Sequence, residues 1–87
     1  SALAVLREIS ERLPQDLVVD IRELSYTPDA VMFEGSTASF DAVNRLAKAL
    51  EESPTFRTPQ VADAKMSLDG SRVDFRLNLS FSEEKNQ

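Results

Sequence analysis

The stretch Val73–Phe81, VDFRLNLSF, alternates without a fault. Val73, Phe75, Leu77, Leu79 and Phe81 are apolar, and Asp74, Arg76, Asn78 and Ser80 between them are polar. Successive side chains of a strand point to opposite faces. This stretch is therefore a strand with one buried face and one wet face, as in an antiparallel sheet covered on one side. The rest of the chain has to supply its neighbours and the layer that covers it.

The segment before it, QVADAKMSL, reads as a strand with Val61, Ala64, Met66 and Leu68 as its apolar set and a phase slip between Val61 and Ala64. Asp69-Gly70 between the two segments is the strongest hairpin signal in the chain. An earlier hairpin spans residues 17–36. LVVDIRELSY places Val19 and Ile21 on one face, and Leu24 and Tyr26 continue that face one residue late, which predicts a bulge near Arg22–Glu23. Pro28 and Asp29 suit the second and third positions of the turn. The return strand, AVMFEG, puts Val31 and Phe33 on one face and Met32 and Glu34 on the other.

A helix precedes each hairpin. In ALAVLREISERLP, the residues Ala2, Val5, Leu6, Ile9 and Leu13 share one face, and Pro14 stops the helix. In STASFDAVNRLAKALEES the core stripe is Phe40, Val43, Leu46, Ala47 and Leu50. Ser39 is the N-cap, Asp41 is favourable in the first turn, and Pro54 marks the end. The order helix, strand, strand, helix, strand, strand is a weak internal repeat. Its economical packing is an α+β sandwich, with two helices on one face of a four-stranded antiparallel sheet. That is a circularly permuted ferredoxin-like αββαββ fold with the second and fourth strands central and the first and third at the edges. Both phase slips fall on the expected edges, where bulges concentrate.

At 87 residues one domain is the default. Residues 1–82 are read as the domain and 83–87 as a polar C-terminal tail. The net charge is −5 and the basic residues are scattered singly, which argues against nucleic acid and against direct docking on anionic lipid. Without cysteine or histidine there is no disulfide framework, and zinc or copper sites and the usual general base are missing. No apolar run approaches the roughly 20 residues that span a bilayer. The chain begins at Ser1 rather than Met and enters helical pattern at once. It reads as an excised domain with its membrane anchor, if any, upstream.

The connector EESPTFRTPQV, Glu51–Val61, joins the second helix to an edge strand. Pro54 ends the helix, Phe56 is expected to fold back and plug the gap between helix end and sheet, and Pro59 stiffens the approach to the strand and removes a donor from it. Burial of one Phe contributes about 1.5–3 kcal/mol, enough to pin a loop.

The connector and its surroundings resemble the fimbrial-assembly PilN and general-secretion GspL family. The matching residues are Gly35, Val43, Leu46, Leu50, Glu51, Ser53, Pro54, Phe56 and Val61, with Leu13, Pro14, Val19, Ile21 and Leu24 upstream. The likeness runs over about residues 3 to 81. It implies the periplasmic domain of a bacterial inner-membrane protein, without enzymatic activity or cofactor. Such a domain acts as a scaffold in the assembly platform of a type II secretion system (GspL-like), forming homodimers and pairing with the M-type protein. The alternative is a PilN-like or PilO/M-type component of a type IV pilus platform. A PilO-type partner domain and pseudopilins are the further partners implied, with membrane contact only through an anchor helix upstream.

The residues themselves offer little chemistry. Asp16, Asp20, Glu23 and Glu34 cluster in the first hairpin, and Asp20 and Glu34 are candidates to face one another as a carboxylate pair or metal site, but they read better as a solvated face. LDGSRVD lacks the alternating ligands and closing Glu of a calcium loop. Ser36, Ser39 and Ser53 lack a base. Tyr26 lacks the basic surroundings of a base-stacking sheet. A regulatory ligand-binding ferredoxin-like domain is the rival from another class, and Gly35 followed by STAS is its one supporting feature. An acylphosphatase-type enzyme would need an arginine-bearing anion cradle, which is absent. What remains is surface. Leu3, Val18, Asp20, Arg22 and Met32 are the expected dimer or partner contacts, with the first strand's edge open to strand addition.

Overall fold

The computed structural model describes residues 1–82, and the polar tail expected over 83–87 lies outside the described residues. The elements are α1 (Ala2–Arg12), β1 (Asp20–Tyr26), β2 (Ala30–Thr37), α2 (Phe40–Glu51), β3 (Gln60–Met66) and β4 (Val73–Ser80). All strand pairs are antiparallel, in the order β1-β2-β4-β3. This is the permuted ferredoxin-like sandwich, with β2 and β4 central.

Each helix starts on a serine whose hydroxyl accepts the backbone N–H three residues on. Ser1 Oγ accepts from Ala4 at 3.2 Å and Ser39 Oγ from Ala42 at 3.0 Å. The core is built from Val5 and Ile9 of α1, Val43, Leu46 and Leu50 of α2, and the inward residues of the central strands. Phe33 and Phe75 meet edge to face at its centre, with ring centroids 5.8 Å apart.

The helical stripes are narrower than their periodicity predicts. Ala2 and Leu6 are exposed, and Phe40, at the first position of α2, is 47% exposed while Ala42 is buried in its place. The reason is geometric, since a residue at the open end of a helix can share the azimuth of the stripe yet overhang the sheet. Leu68 is likewise outside the strand expected to hold it. β3 stops at Met66, and residues 67–72 form a loop longer than a two-residue hairpin. Ser67 and Arg72 close it, and Gly70 supplies its one left-handed residue at φ 74°.

Both expected bulges are present. Register slips between Ile21 and Glu23 on β1 and between Val61 and Asp63 on β3, leaving Arg22 and Ala62 as the extra residues. The connector behaves as expected too. Phe56 is buried, bridges to Phe81, and stacks on it at 5.9 Å.

Candidate functional site

The helices cover one face of the sheet, and the other face is open. Its residues form a lattice of charge. Arg76 of β4 reaches Glu34 of β2 at 3.5 Å, and Arg22, from the bulge of β1, reaches Asp74 of β4 at 3.1 Å. Arg22 also donates to the Gly35 carbonyl at 3.3 Å. Arg72, at the end of the β3–β4 loop, donates to the Ser36 hydroxyl at 3.0 Å and pairs with Asp20 at 3.2 Å. Each exposed ion pair contributes only about 0–1 kcal/mol, so the lattice fixes geometry more than stability.

Asp20 and Glu34 are not opposite one another. Asp20 lies across from Ser36, and Glu34 lies across from Glu23, so the hairpin register sets the two carboxylates at different levels. Each carboxylate faces an arginine instead. Asp16 is held in a two-pronged pair with Arg45 at 2.9 Å, and this hydrogen bonding lowers its pKa. Among the described residues no group of three acidic, histidine or cysteine side chains could hold a metal ion. Asp69 accepts from the Ser71 hydroxyl, the Ser71 N–H and the Ser67 hydroxyl, which makes it the organiser of a turn.

The five residues expected at an interface do not form one patch. Asp20 and Arg22 belong to the open-face lattice and are already ion-paired within the chain. Met32 lies on the same face, half-buried between Ser25 and Asn78. Leu3 is 70% exposed on α1, and its helix start borders Tyr26, Pro28 and Phe81 at one end of the sheet. Val18 is 68% exposed at the other end, its carbonyl accepting from the Thr37 hydroxyl at 2.9 Å.

Two features of the site are not evident from sequence pattern. The first is Ser53. It is buried, donates to Glu8 of α1, and accepts from the Thr55 N–H at 3.1 Å, while Glu8 also takes Arg12 at 3.1 Å. Ser53 therefore ties the end of α2 to α1 at the point where the connector departs. Glu8 lies off the apolar stripe and reads from sequence as a solvent residue, so the contact leaves no periodic signal. The second is Gly35. A Cβ there would lie 2.2 Å from the Asp20 carbonyl oxygen, so only glycine admits β1 this close to β2. An open groove of about 900 Å³ runs between the start of α1, the β1–β2 turn and the connector. The hydroxyls on its rim (Ser1, Tyr26, Thr55 and Ser80) meet no imidazole, since the chain has no histidine.

The molecule is thus a small ferredoxin-like module with an ion-paired open face and two sheet edges, β1 and β3. The family model for fimbrial assembly protein (PilN) matches residues 4–81, and the chain belongs to that family. In fold it is similar to the crystal structure of the periplasmic domain of XcpY, a GspL-type protein. That likeness has a TM-score of 0.69 and 27% identity, and it covers 91% of this chain and 99% of the other. Comparison with curated proteins gives no match.

Proposed function

We propose that this chain is a non-enzymatic interaction domain, in the periplasm, of the inner-membrane assembly platform of a type II secretion system or type IV pilus machine. It works by pairing with a second copy of itself and with a similar ferredoxin-like domain of the M-type or PilO-type. The family match over residues 4–81 carries this reading. The likeness to the XcpY domain favours the secretion-system, GspL-like version, in which the M-type protein is the partner. Pseudopilins are a further partner on the same reading.

Support from the molecule comes from its surface. Large apolar side chains remain exposed where the fold does not use them, notably Leu3 and Val18. Of the five interface residues expected from sequence, these two are free of the intrachain ion pairs that occupy Asp20 and Arg22. They are the proposed contacts for the heteromeric partner, with Met32 as a third point on the open face.

The test is titration of the domain with the purified M-type and PilO-type periplasmic domains from the same bacterium, read by calorimetry. Binding to the M-type domain assigns the secretion system, and binding to the PilO-type domain assigns the pilus machine. Leu3→Asp and Val18→Asp should each weaken the pairing by about tenfold or more. No heat with either domain sinks the platform reading.

A further inference from the structure

On the open face charged side chains stand in rows across the strands, and from β2 through β4 to β3 the row at Glu34 alternates in sign, although Glu23 of β1 lies beside Glu34 at its far end. One row is Asp63 on β3, Arg76 on β4 and Glu34 on β2. The next is Lys65 on β3, Asp74 on β4 and Arg22 from the bulge of β1. The inner members are joined, Glu34 to Arg76 and Asp74 to Arg22. The members on β3 are not. Asp63 and Lys65 are exposed on the free edge of the sheet, and their side chains make no ion pair or hydrogen bond among the described residues. The two rows therefore stop at the edge on one free acid and one free base, two positions apart on the same face.

We infer that this edge receives the β3 edge of a second copy of the chain, antiparallel, about a two-fold axis through Ala64. The inference rests on the self-pairing proposed above and names its surface. Residues directly opposite in an antiparallel pair share a face, with Cα atoms about 4.5–5.5 Å apart. A two-fold axis through Asp63 would set Asp63 against its own copy, and one through Lys65 would set Lys65 against its own copy. Both registers place like charges face to face, which destabilises a cross-strand pair. The axis through Ala64 instead sets Asp63 against the second copy's Lys65, twice. It also continues the alternation unbroken. The row Glu34, Arg76, Asp63 runs on into the second copy's Lys65, Asp74 and Arg22.

The remaining features of β3 fit this occupant. Charges on an edge strand normally repel an incoming strand, but one acid and one base symmetrically placed about an alanine are complementary to their own image. Met66 is 56% exposed on the helix side of the far half of the strand, and a second β3 alongside would shelter it. The bulge at Ala62 and the missing donor of Pro59 confine the new ladder to the far half of the strand. The contact is therefore short, and the dimer is weak and reversible.

Sedimentation equilibrium over a concentration series tests this on the wild type, Asp63→Lys, Lys65→Asp and the double exchange. Each single reversal sets like charges opposite and should weaken the dimer by about tenfold or more, while the double exchange restores it to within about threefold. Restoration also shows that the singles do not act by unfolding. Ala64→Cys supplies a second readout. The chain has no other cysteine, so an oxidised dimer reports contact at this axis, and Val18→Cys is the control. If the wild type dimerises but is indifferent to the charge reversals, or Ala64→Cys cross-links no better than Val18→Cys, the β3 assignment is overturned and self-pairing survives elsewhere. A wild type that stays monomeric into the millimolar range, with no Ala64→Cys cross-link, overturns self-pairing as well.

Discussion

The two edge strands occupy equivalent places in the repeated helix–hairpin plan, and each carries one bulge, yet they are held in different ways. β1 is fastened by its own residues. Its bulge residue is Arg22, whose guanidinium reaches across the sheet to Asp74 and the Gly35 carbonyl. Opposite Ile21, where the bulge begins, stands Gly35, which lets the two backbones close up. β3 has Ala62 at its bulge, and opposite Val61 stands Leu77, whose side chain is spent on the core. An alanine reaches nothing. β3 depends instead on what comes before and after it: the Phe56 plug in the connector and the Asp69 loop at its far end. The same plan thus yields one edge fastened along its own length and one fastened from its two ends.

The largest effect should come from removing the support that β3 borrows. Phe56 is buried against the core and Phe81. Phe56→Ala should cost about 3–5 kcal/mol, the range for truncating a core phenylalanine. Urea unfolding measures the total. Hydrogen exchange of the variant localises it, and the amides of β3 should lose more protection than those of β1. Equal loss on both edges would break the comparison.

Gly35→Ala is the mirror experiment. The added methyl meets backbone rather than a side chain that could swing aside, so β1 must move. The expected cost is about 2–3 kcal/mol, with protection lost on β1 and kept on β3. A third variant, Ser53→Ala, strands the Thr55 N–H and one partner of Glu8, for about 1–2 kcal/mol. It should loosen the junction of α1 and α2 and leave both edges alike.

Much of this architecture is legible in the sequence. The alternation of Val73–Phe81 announces a central strand, the phase slips at Arg22 and after Val61 mark both bulges, and Phe56 between two prolines reads as a plug. Those features are periodic or local, and periodicity survives in a single sequence. The features that escape are distant contacts between residues that look ordinary. Glu8 resembles any solvent-facing helix residue until Ser53 is brought to it. Asp20 and Glu34 look like partners on a hairpin until the register, set by the turn at Pro28 and Asp29, puts Asp20 across from Ser36. Phe40 fits the stripe of α2 by angle and fails by position along the axis. The interface set fails to gather for a related reason. Leu3 and Val18 are surplus to the core at opposite ends of the sheet, and surplus alone does not say that two residues are neighbours.

The smallest effect concerns the other end of β3. Asp69 gathers the Ser71 hydroxyl, the Ser71 N–H and the Ser67 hydroxyl, and these hydrogen bonds lower its pKa from 3.8 to about 2. A carboxyl whose folded pKa lies below its unfolded value contributes stability that is fully present above the unfolded value. That contribution is lost as pH falls through the folded one. The window is therefore from about pH 4 down to about pH 2. On acidification the loop should open first, and exchange should rise at Met66 and Val73 before it rises anywhere on β1, whose turn is closed by the neutral Thr27 hydroxyl. Carboxyl carbon shifts followed by NMR give the midpoint directly. A midpoint near 3.8 would mean that the loop bonds do not hold in solution, and β3 would then rest on Phe56 alone.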